Sequence, residues 1–210
     1  MTNVRELFGD IDIYLFDQIL KERFSNSNIS ILDAGCGGGR NLLYFLRGGF
    51  QVFGIDQNPK LIEQVRNLAK MLAPNLPAEN FQTATVDEIP FSNEFFEVVI
   101  SSAVLHFAAD REHFHKMLLE MWRVLKPEGL FFARLASSIG IENLISPIGN
   151  GRYLLPDGST RFVVDEELLI SMTSGLGGVL LEPLKTTNVQ NLRCMTTWVL
   201  RKTKQTKENN

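Results

Sequence analysis

Cysteine is scarce: Cys36 and Cys194 are the only two in 210 residues. That is too few for a disulfide scaffold, and it predicts a reducing compartment, the cytoplasm. An excess of either charge is also missing. Lys and Arg number 21 against 24 Asp and Glu, a formal net charge of −3, so the basic surplus of a large nucleic-acid surface is absent. No stretch approaches the roughly 18 to 20 apolar residues that span a bilayer. Residues 1–10 lack the basic start and apolar run of a signal peptide. No internal repeat is visible. These absences predict a cytoplasmic monomer or homodimer whose partner is a small molecule, with no nucleic acid and no membrane. Residues 202–210 are polar and charged without apolar anchors, and read as a flexible tail.

What remains is a chain of ordinary globular composition, 44% hydrophobic, long enough for one domain over residues 1–201. Ile13, Leu15, Phe16, Ile19, Leu20 and Phe24 recur at roughly helical spacing and predict a helix over 11–24, within an N-terminal helical segment 1–24. Residues 25–28 form a polar break. Strand-like runs follow at 29–34, 50–55, 81–86, 95–101 and 130–135. They alternate with helix-like runs at 40–46, 61–72, led by Pro59, and 112–125, and Lys126-Pro127-Glu128-Gly129 reads as a turn. A helix at 164–172 precedes two last strands, 178–184 and 194–200, read as an antiparallel hairpin. The fold class is therefore α/β: a doubly wound, mainly parallel, seven-stranded Rossmann-like sheet with a C-terminal antiparallel hairpin. Residues 136–159 are rich in Gly, Ser, Pro and Asn, and the connection exceeds what a compact domain needs. Residues 136–161 thus read as a lid or substrate segment.

The first strand runs into Asp33-Ala34-Gly35-Cys36-Gly37-Gly38-Gly39. A glycine-rich turn that follows a strand and opens a helix is a nucleotide-binding context. Glycine accepts positive φ and leaves no Cβ in a ligand's way. Asp56 ends the next strand and puts a carboxylate beside the turn, within reach of ribose hydroxyls. The dinucleotide pattern G-x-G-x-x-G fails, because Arg40 occupies the sixth position from Gly35. That weakens a nicotinamide oxidoreductase. A phosphate-binding P-loop would need Gly-Lys-Ser or Gly-Lys-Thr, and neither follows.

This turn resembles the first motif of class I S-adenosylmethionine-dependent methyltransferases, matched by Leu32, Asp33, Gly35, Gly37 and Gly39. Val86-Asp87-Glu88-Ile89-Pro90-Phe91 looks like the family's D-x-x-P-F segment. The run 95–101, followed by Ala103-Val104-Leu105-His106, is similar to its fourth-strand segment. Trp122-Arg123-Val124-Leu125-Lys126-Pro127-Glu128-Gly129 resembles its helix, turn and fifth strand, with Glu128 where glycine is commoner. The resemblance covers residues 25–135. It implies S-adenosyl-L-methionine as cofactor and S-adenosyl-L-homocysteine as product. It places Asp33, Gly35, Cys36, Gly37 and Gly39 under the methionine part and Asp56 at the ribose. Asp87 meets the adenine amino group, with the backbone of Glu88 beside it, and Gln57 and Ser102 complete the cofactor set.

Ligands of open α/β sheets lie at the carboxyl ends of the strands, near the reversal of strand order. Ser101, Ser102, His106, Arg134, Ser137 and Ser138 follow strands four and five and should face the methyl group. Holding the nucleophile in line supplies most of the rate of such a displacement, and a base is needed only for a protonated acceptor. His106 is the candidate base, with a packing role as its alternative. Arg134, Arg152 and Arg161 are candidates for an anionic acceptor, and Tyr14 and Phe16 for capping the pocket. No metal is expected near His106 and Asp110, because His113 and His115 are two apart and point to different helix faces. The leading reading is a small-molecule methyltransferase. A protein or nucleic-acid methyltransferase is the runner-up, although Ser101-Ser102-Ala103-Val104 replaces the Asn/Asp-Pro-Pro-Tyr/Phe motif of adenine-methylating members. A non-catalytic cofactor-binding module is the third reading.

Overall fold

The computed structural model describes residues 3–24 and 28–204. Its main sheet follows the order β10 (Lys185–Val189), β11 (Arg193–Lys202), β5 (Leu125–Ser137), β4 (Phe96–Ser102), β1 (Ser30–Ala34), β2 (Gln51–Asp56), β3 (Phe81–Thr83). The five strands β1 to β5 are parallel. Strand β11 runs antiparallel between β5 and β10. The expected seven-stranded, mainly parallel sheet is thus present, and a short β9 (Gly178–Leu180) adds to the edge of β11.

Double winding is visible residue by residue. Successive strand side chains point to opposite faces. Ile31, Val98 and Phe132 pack on one face, against Phe45 of α3 (Leu43–Arg47) and Val65 of α4 (Pro59–Leu72). Their neighbours Leu32, Val99 and Phe131 pack on the other face, against Leu118 of α5 (Arg111–Val124) and Leu169 of α6 (Glu166–Gly175). Burial on both faces explains why the strands read as continuous apolar runs. Trp198 is fully buried on β11 and donates its indole N–H to Thr173 Oγ1 at 3.0 Å, which satisfies its one polar group.

Several boundaries differ from expectation, each for a local reason. The N-terminal helix is two helices, α1 (Val4–Phe8) and α2 (Ile13–Leu20). Gly9 takes φ 61 between them, and the carboxylate of Asp12 caps α2 by accepting from Tyr14 N–H at 3.0 Å. Helix α3 begins at Leu43 rather than residue 40, because Arg40 to Leu42 complete a turn closed by Leu42 N–H on Gly39 O. Strand β3 stops at Thr83, where Ala84 N–H turns to Asp56 O. The turn at 126–129 lies inside β5. Phe96 pairs with Leu125 while Val98 pairs with Leu130, so the residues between form a bulge.

The hairpin strand is displaced as well. Only 178–180 of the expected 178–184 is strand, and the longer partner of β11 is β10. Pro183 separates them and has no N–H for the ladder. The segment 136–161 is not a bare loop. It carries β6 (Ser146–Gly149) and β7 (Arg152–Leu154), which with β8 (Thr160–Phe162) make a separate antiparallel sheet. The expected tail begins later than residue 202, since Lys202 ends β11 and donates to Trp122 O and Leu125 O at 2.9 and 2.7 Å. The rest of that tail from residue 205, and residues 25–27 of the polar break, lie outside the described residues.

Candidate active site

Strand order reverses between β1 and β4, and the glycine turn leaves β1 at that point. Gly35 and Cys36 both donate to Ile55 O at 2.9 Å, which fastens the turn to the end of β2. Asp56 then ties it from the side. Its Oδ2 accepts from Gly37 N–H at 3.0 Å and its Oδ1 from Asn58 N–H at 2.9 Å. The glycines have different duties. Gly35, at φ 86, has no room for a side chain, since a Cβ would stand 2.5 Å from Val104 Cγ2. A Cβ on Gly39 would press on Val65 and Leu68, so this glycine lets α4 approach. Gly37 faces open space.

A cleft of about 210 Å³ opens beside the turn. Gly35, Asp56, Gln57, Val86, Asp87 and Val104 line it, with Phe107 and His113 across from them. Asp87 accepts from Lys116 Nζ at 3.0 Å, and hydrogen bonds with the Thr85 side chain first and Lys116 second keep its carboxyl below the usual range. His113 accepts from Ala109 N–H on Nδ1, leaving its other nitrogen 4.0 Å from Asp87. Acid at Asp56 and Asp87 with apolar walls between them suits a ribose at one end and an aromatic base at the other.

Asp33 belongs to the same motif as the glycines, is 1% exposed and lines neither this cleft nor its neighbour; no donor meets hydrogen-bond geometry at either carboxylate oxygen, the Asn41 side chain being its polar neighbour. Burial pushes its carboxyl up to about 7, against the field of Arg40 and with that of Asp56. A buried carboxylate lacking donors is costly unless a cation or N–H arrives. The ammonium of a cofactor's amino-acid end would supply one. The orphaned Asp33, the side-chain-free Gly35 and Gly37, and the Asp56 carboxylate together fit S-adenosylmethionine.

A second cleft, about 280 Å³, adjoins the first, and Ala103 at φ 63 lines both. Arg40, Arg134, Arg161 and Arg193 converge on it, with His106 and Asp157. Arg134 donates to Asp12 Oδ2 at 3.2 Å, and its guanidinium lies 5.2 Å from the Tyr14 ring centroid. Ser102 Oγ donates to the same Asp12 oxygen and accepts from Arg40. Tyr14 hydroxyl is hydrogen-bonded to Thr187 Oγ1 on β10. Helix α2 is thereby bound to the strand ends beside the cleft. His106 Nδ1 accepts from Ala136 N–H at 3.3 Å, so in the neutral ring the proton sits on Nε2. Burial, then the charges of Arg161, Arg134 and Arg193, push the imidazole down to about 4.

Gly35, Asp56, Gln57 and Asp87 meet in the first cleft, and His106 and Arg134 in the second. Others stand elsewhere. Ser102 belongs to the Asp12 network rather than the first cleft. Cys36 is buried against Gly54, with its thiol pushed up by burial, so it contributes backbone and packing. Glu88 N–H is committed to Thr85 O within its own turn. Ser101 and Ser137 are fully buried in the sheet, because alternate strand residues face opposite ways. Arg152 pairs with Phe162 in the small sheet and lines neither cleft, whereas Arg161, the residue before Phe162, lines the second. Phe16 packs edge-on against Phe8 instead of capping a pocket. Among the described residues no group of three or more His, Cys, Asp or Glu side chains is gathered to hold a metal.

Asp12, Arg40, Phe107 and Arg193 escaped the sequence reading as site residues. Asp12 has a usable signal, an acidic residue just before an apolar helical run, but capping is all that signal implies. Arg193 has none, since 57 residues of chain separate it from Ala136, its nearest pocket neighbour on β5, until β11 pairs with β5.

A family model described as a methyltransferase domain matches residues 32–133. Among curated proteins, the uncharacterized methyltransferase YodH of Bacillus subtilis is 32% identical over 124 residues, 59% of this chain and 47% of that protein. The chain spans about half the length of the curated relatives it matches. Among solved structures, a SAM-dependent methyltransferase from Methanosarcina mazei superposes with a TM-score of 0.70 at 20% identity, covering 88% of this chain and 97% of that one. The 1,6-didemethyltoxoflavin-N1-methyltransferase of Burkholderia thailandensis, solved with its substrate and S-adenosylhomocysteine, gives 0.67 at 20% identity, covering 89% and 76%. At these identities the superpositions speak for the fold.

Proposed function

We propose, from the match of residues 32–133 to a methyltransferase-domain model and the site described above, that this chain is an S-adenosylmethionine-dependent methyltransferase that transfers a methyl group to a small-molecule acceptor. The observation that carries the proposal is the pair of clefts meeting at Ala103. One has the residues for a nucleoside with a cationic amino-acid end. The other has room for a second, smaller molecule. When bound, the cofactor supplies a methyl group on a sulfonium, already a good leaving group.

The chain's own part is to bind and align. Asp56 accepts from ribose hydroxyls while keeping Gly37 in place, and Asp87 takes the adenine amino group. Asp33 offers its buried carboxylate to the ammonium. The Asp12–Arg134–Ser102–Arg40 network fixes the wall beside Ala103, so that an acceptor is presented in one orientation. His106 acts as an uncharged hydrogen-bond donor through Nε2 rather than as a base. Residues 1–201 act as one methyltransferase domain, with the 136–161 sheet as the lid over the acceptor. Clefts of about 280 and 210 Å³ favour a small molecule over a protein or nucleic acid. Among the described residues no helix is long and apolar enough to cross a membrane. A cytoplasmic monomer or homodimer is the accompanying reading.

Hydrogen-exchange mass spectrometry with and without S-adenosylhomocysteine tests the placement. Protection is expected at 35–39, 56–57 and 84–87. Unchanged exchange in all three segments at saturating ligand would refute it.

A further inference from the structure

The second cleft holds an unusual concentration of one group. Arg40, Arg134, Arg161 and Arg193 line it. Two carboxylates answer them, Asp12 against Arg134 at 3.2 Å and Asp157 against Arg193 at 3.6 Å. His106 is uncharged at neutral pH. Four guanidinium groups against two carboxylates leave two positive charges in excess, in a space partly shielded from water. Such a wall repels an amine and selects an anion, which guanidinium holds in a fork.

A free proton acceptor is missing from the same wall. Asp157 takes two hydrogen bonds from Ser159 besides facing Arg193, and those bonds lower its carboxyl further. Asp12 is occupied by Arg134, Ser102 and Tyr14 N–H. His106 has its acceptor nitrogen on Ala136 N–H. A hydroxyl or an ammonium would keep its proton here. The acceptor atom must arrive with an unprotonated lone pair, as the oxygen of an ionised carboxyl does at neutral pH.

Placement separates two roles for negative charge. An oxygen held by guanidinium is stabilised as an anion and loses that stabilisation as the methyl arrives, so a fork on the reacting oxygen opposes transfer. Arg161, on β8, stands over Phe107 at 5.0 Å from its ring centroid and is the charge that acts most on His106, whereas Arg193, at the start of β11 and paired with Asp157, acts least. An anion anchored at the Arg193 end is therefore a different group from one that reacts beside Ala103. Leu155, Val189 and Met195 supply apolar surface for a short body between them.

Resting on the methyltransferase reading, we propose that the acceptor is a small dicarboxylate. One carboxylate is held at the Arg193 end of the cleft, and the other is methylated beside Ala103, with His106 Nε2–H as its neutral donor and Arg161 between the two. The carboxylate oxygen forms a bond to the methyl carbon as the carbon–sulfur bond breaks and its electron pair stays on sulfur. Anion and sulfonium become a neutral ester and a neutral thioether, and no proton moves.

The test uses the full chain and dicarboxylates from malonate to adipate. Calorimetry first measures S-adenosylhomocysteine binding alone, then titrates each acid into the loaded protein. At least one acid is expected to bind and, with S-adenosylmethionine, to yield its monomethyl ester by mass spectrometry. Its rate should be flat between pH 6 and 9. Arg161→Gln and Arg193→Gln should each weaken acid binding about tenfold or more, leaving S-adenosylhomocysteine affinity within about twofold. Arg193→Lys should recover part of it. If S-adenosylhomocysteine binds but no acid does, or if both glutamine variants bind the acid like wild type, the dicarboxylate assignment is overturned. If S-adenosylhomocysteine itself fails to bind, the methyltransferase reading falls first and this one with it.

Discussion

Asp33 and His106 are buried ionisable groups that respond to pH in opposite senses. Asp33 ionises near 3.8 when unfolded and near 7 when folded. Between those values the folded state keeps a proton that the unfolded state has lost, so stability falls as pH rises through the window. His106 takes a proton near 6.5 when unfolded and stays neutral to about 4 when folded, so its contribution is lost as pH falls from 6.5 to 4. The two slopes offset each other between pH 4 and 6.5. Asp33→Asn removes one of them. Its unfolding free energy relative to wild type, from urea titrations, should grow from pH 4 to 7 by on the order of 2–4 kcal/mol and then level off. A difference independent of pH would show that Asp33 ionises normally. The same variant should lose cofactor affinity, the usual conflict between stability and a site built for a ligand. Gly35→Ala is a sharper probe of geometry. Its Cβ would meet Val104 Cγ2 at 2.5 Å from a φ of 86. We expect a loss of about 2–4 kcal/mol, with part of it restored in the Gly35→Ala/Val104→Ala pair. A neutral Gly35→Ala in thermal melts would contradict the packing.

The bulge in β5 is where one element departs from its own best chemistry. Glu128 sits at φ 65, a conformation that glycine adopts without steric cost, while the real glycine, Gly129, fills a place where a Cβ would stand 2.7 Å from Leu125 and from the Lys126 carbonyl. Glu128→Gly relieves left-handed strain of roughly 1 kcal/mol, partly offset by the freedom it adds to the unfolded chain. A rise in melting temperature of about 1–3 °C is expected, and a fall would show that the Glu128 side chain contributes more than its backbone costs. The regular elements were legible because burial on both faces writes itself as apolar runs. Val98, Val99 and Ile100 announced β4 for that reason. Elements specified by long-range contact were not. The β6–β8 sheet is half-exposed and made of three- and four-residue strands, too short for a periodic pattern, and β6 is a Ser-Pro-Ile-Gly run that reads as loop. The split of α1 from α2 depends on Asp12 reaching Ser102 and Arg134, which lie 90 and 122 residues away.

Over the whole molecule the two ends of the site were unequally legible. The cofactor end is compact in sequence. Gly35, Asp56 and Asp87 are carried by consecutive strand ends, so motif and geometry coincide. The acceptor end is assembled from the turn, β4, β5, the small sheet and β11, and its fourth arginine arrives only when the C-terminal hairpin closes. Arg152 and Arg161 looked alike in sequence, and strand register alone decided between them. Methyl transfer by this chain requires the first cleft to hold the methyl donor. Titration calorimetry of wild type and Asp56→Ala with S-adenosylhomocysteine tests it most directly. Wild type should bind one molecule per chain, and Asp56→Ala, losing hydrogen bonds from a charged acceptor, should bind about a hundredfold more weakly. No binding to wild type, or equal affinity in the two proteins, would contradict the account.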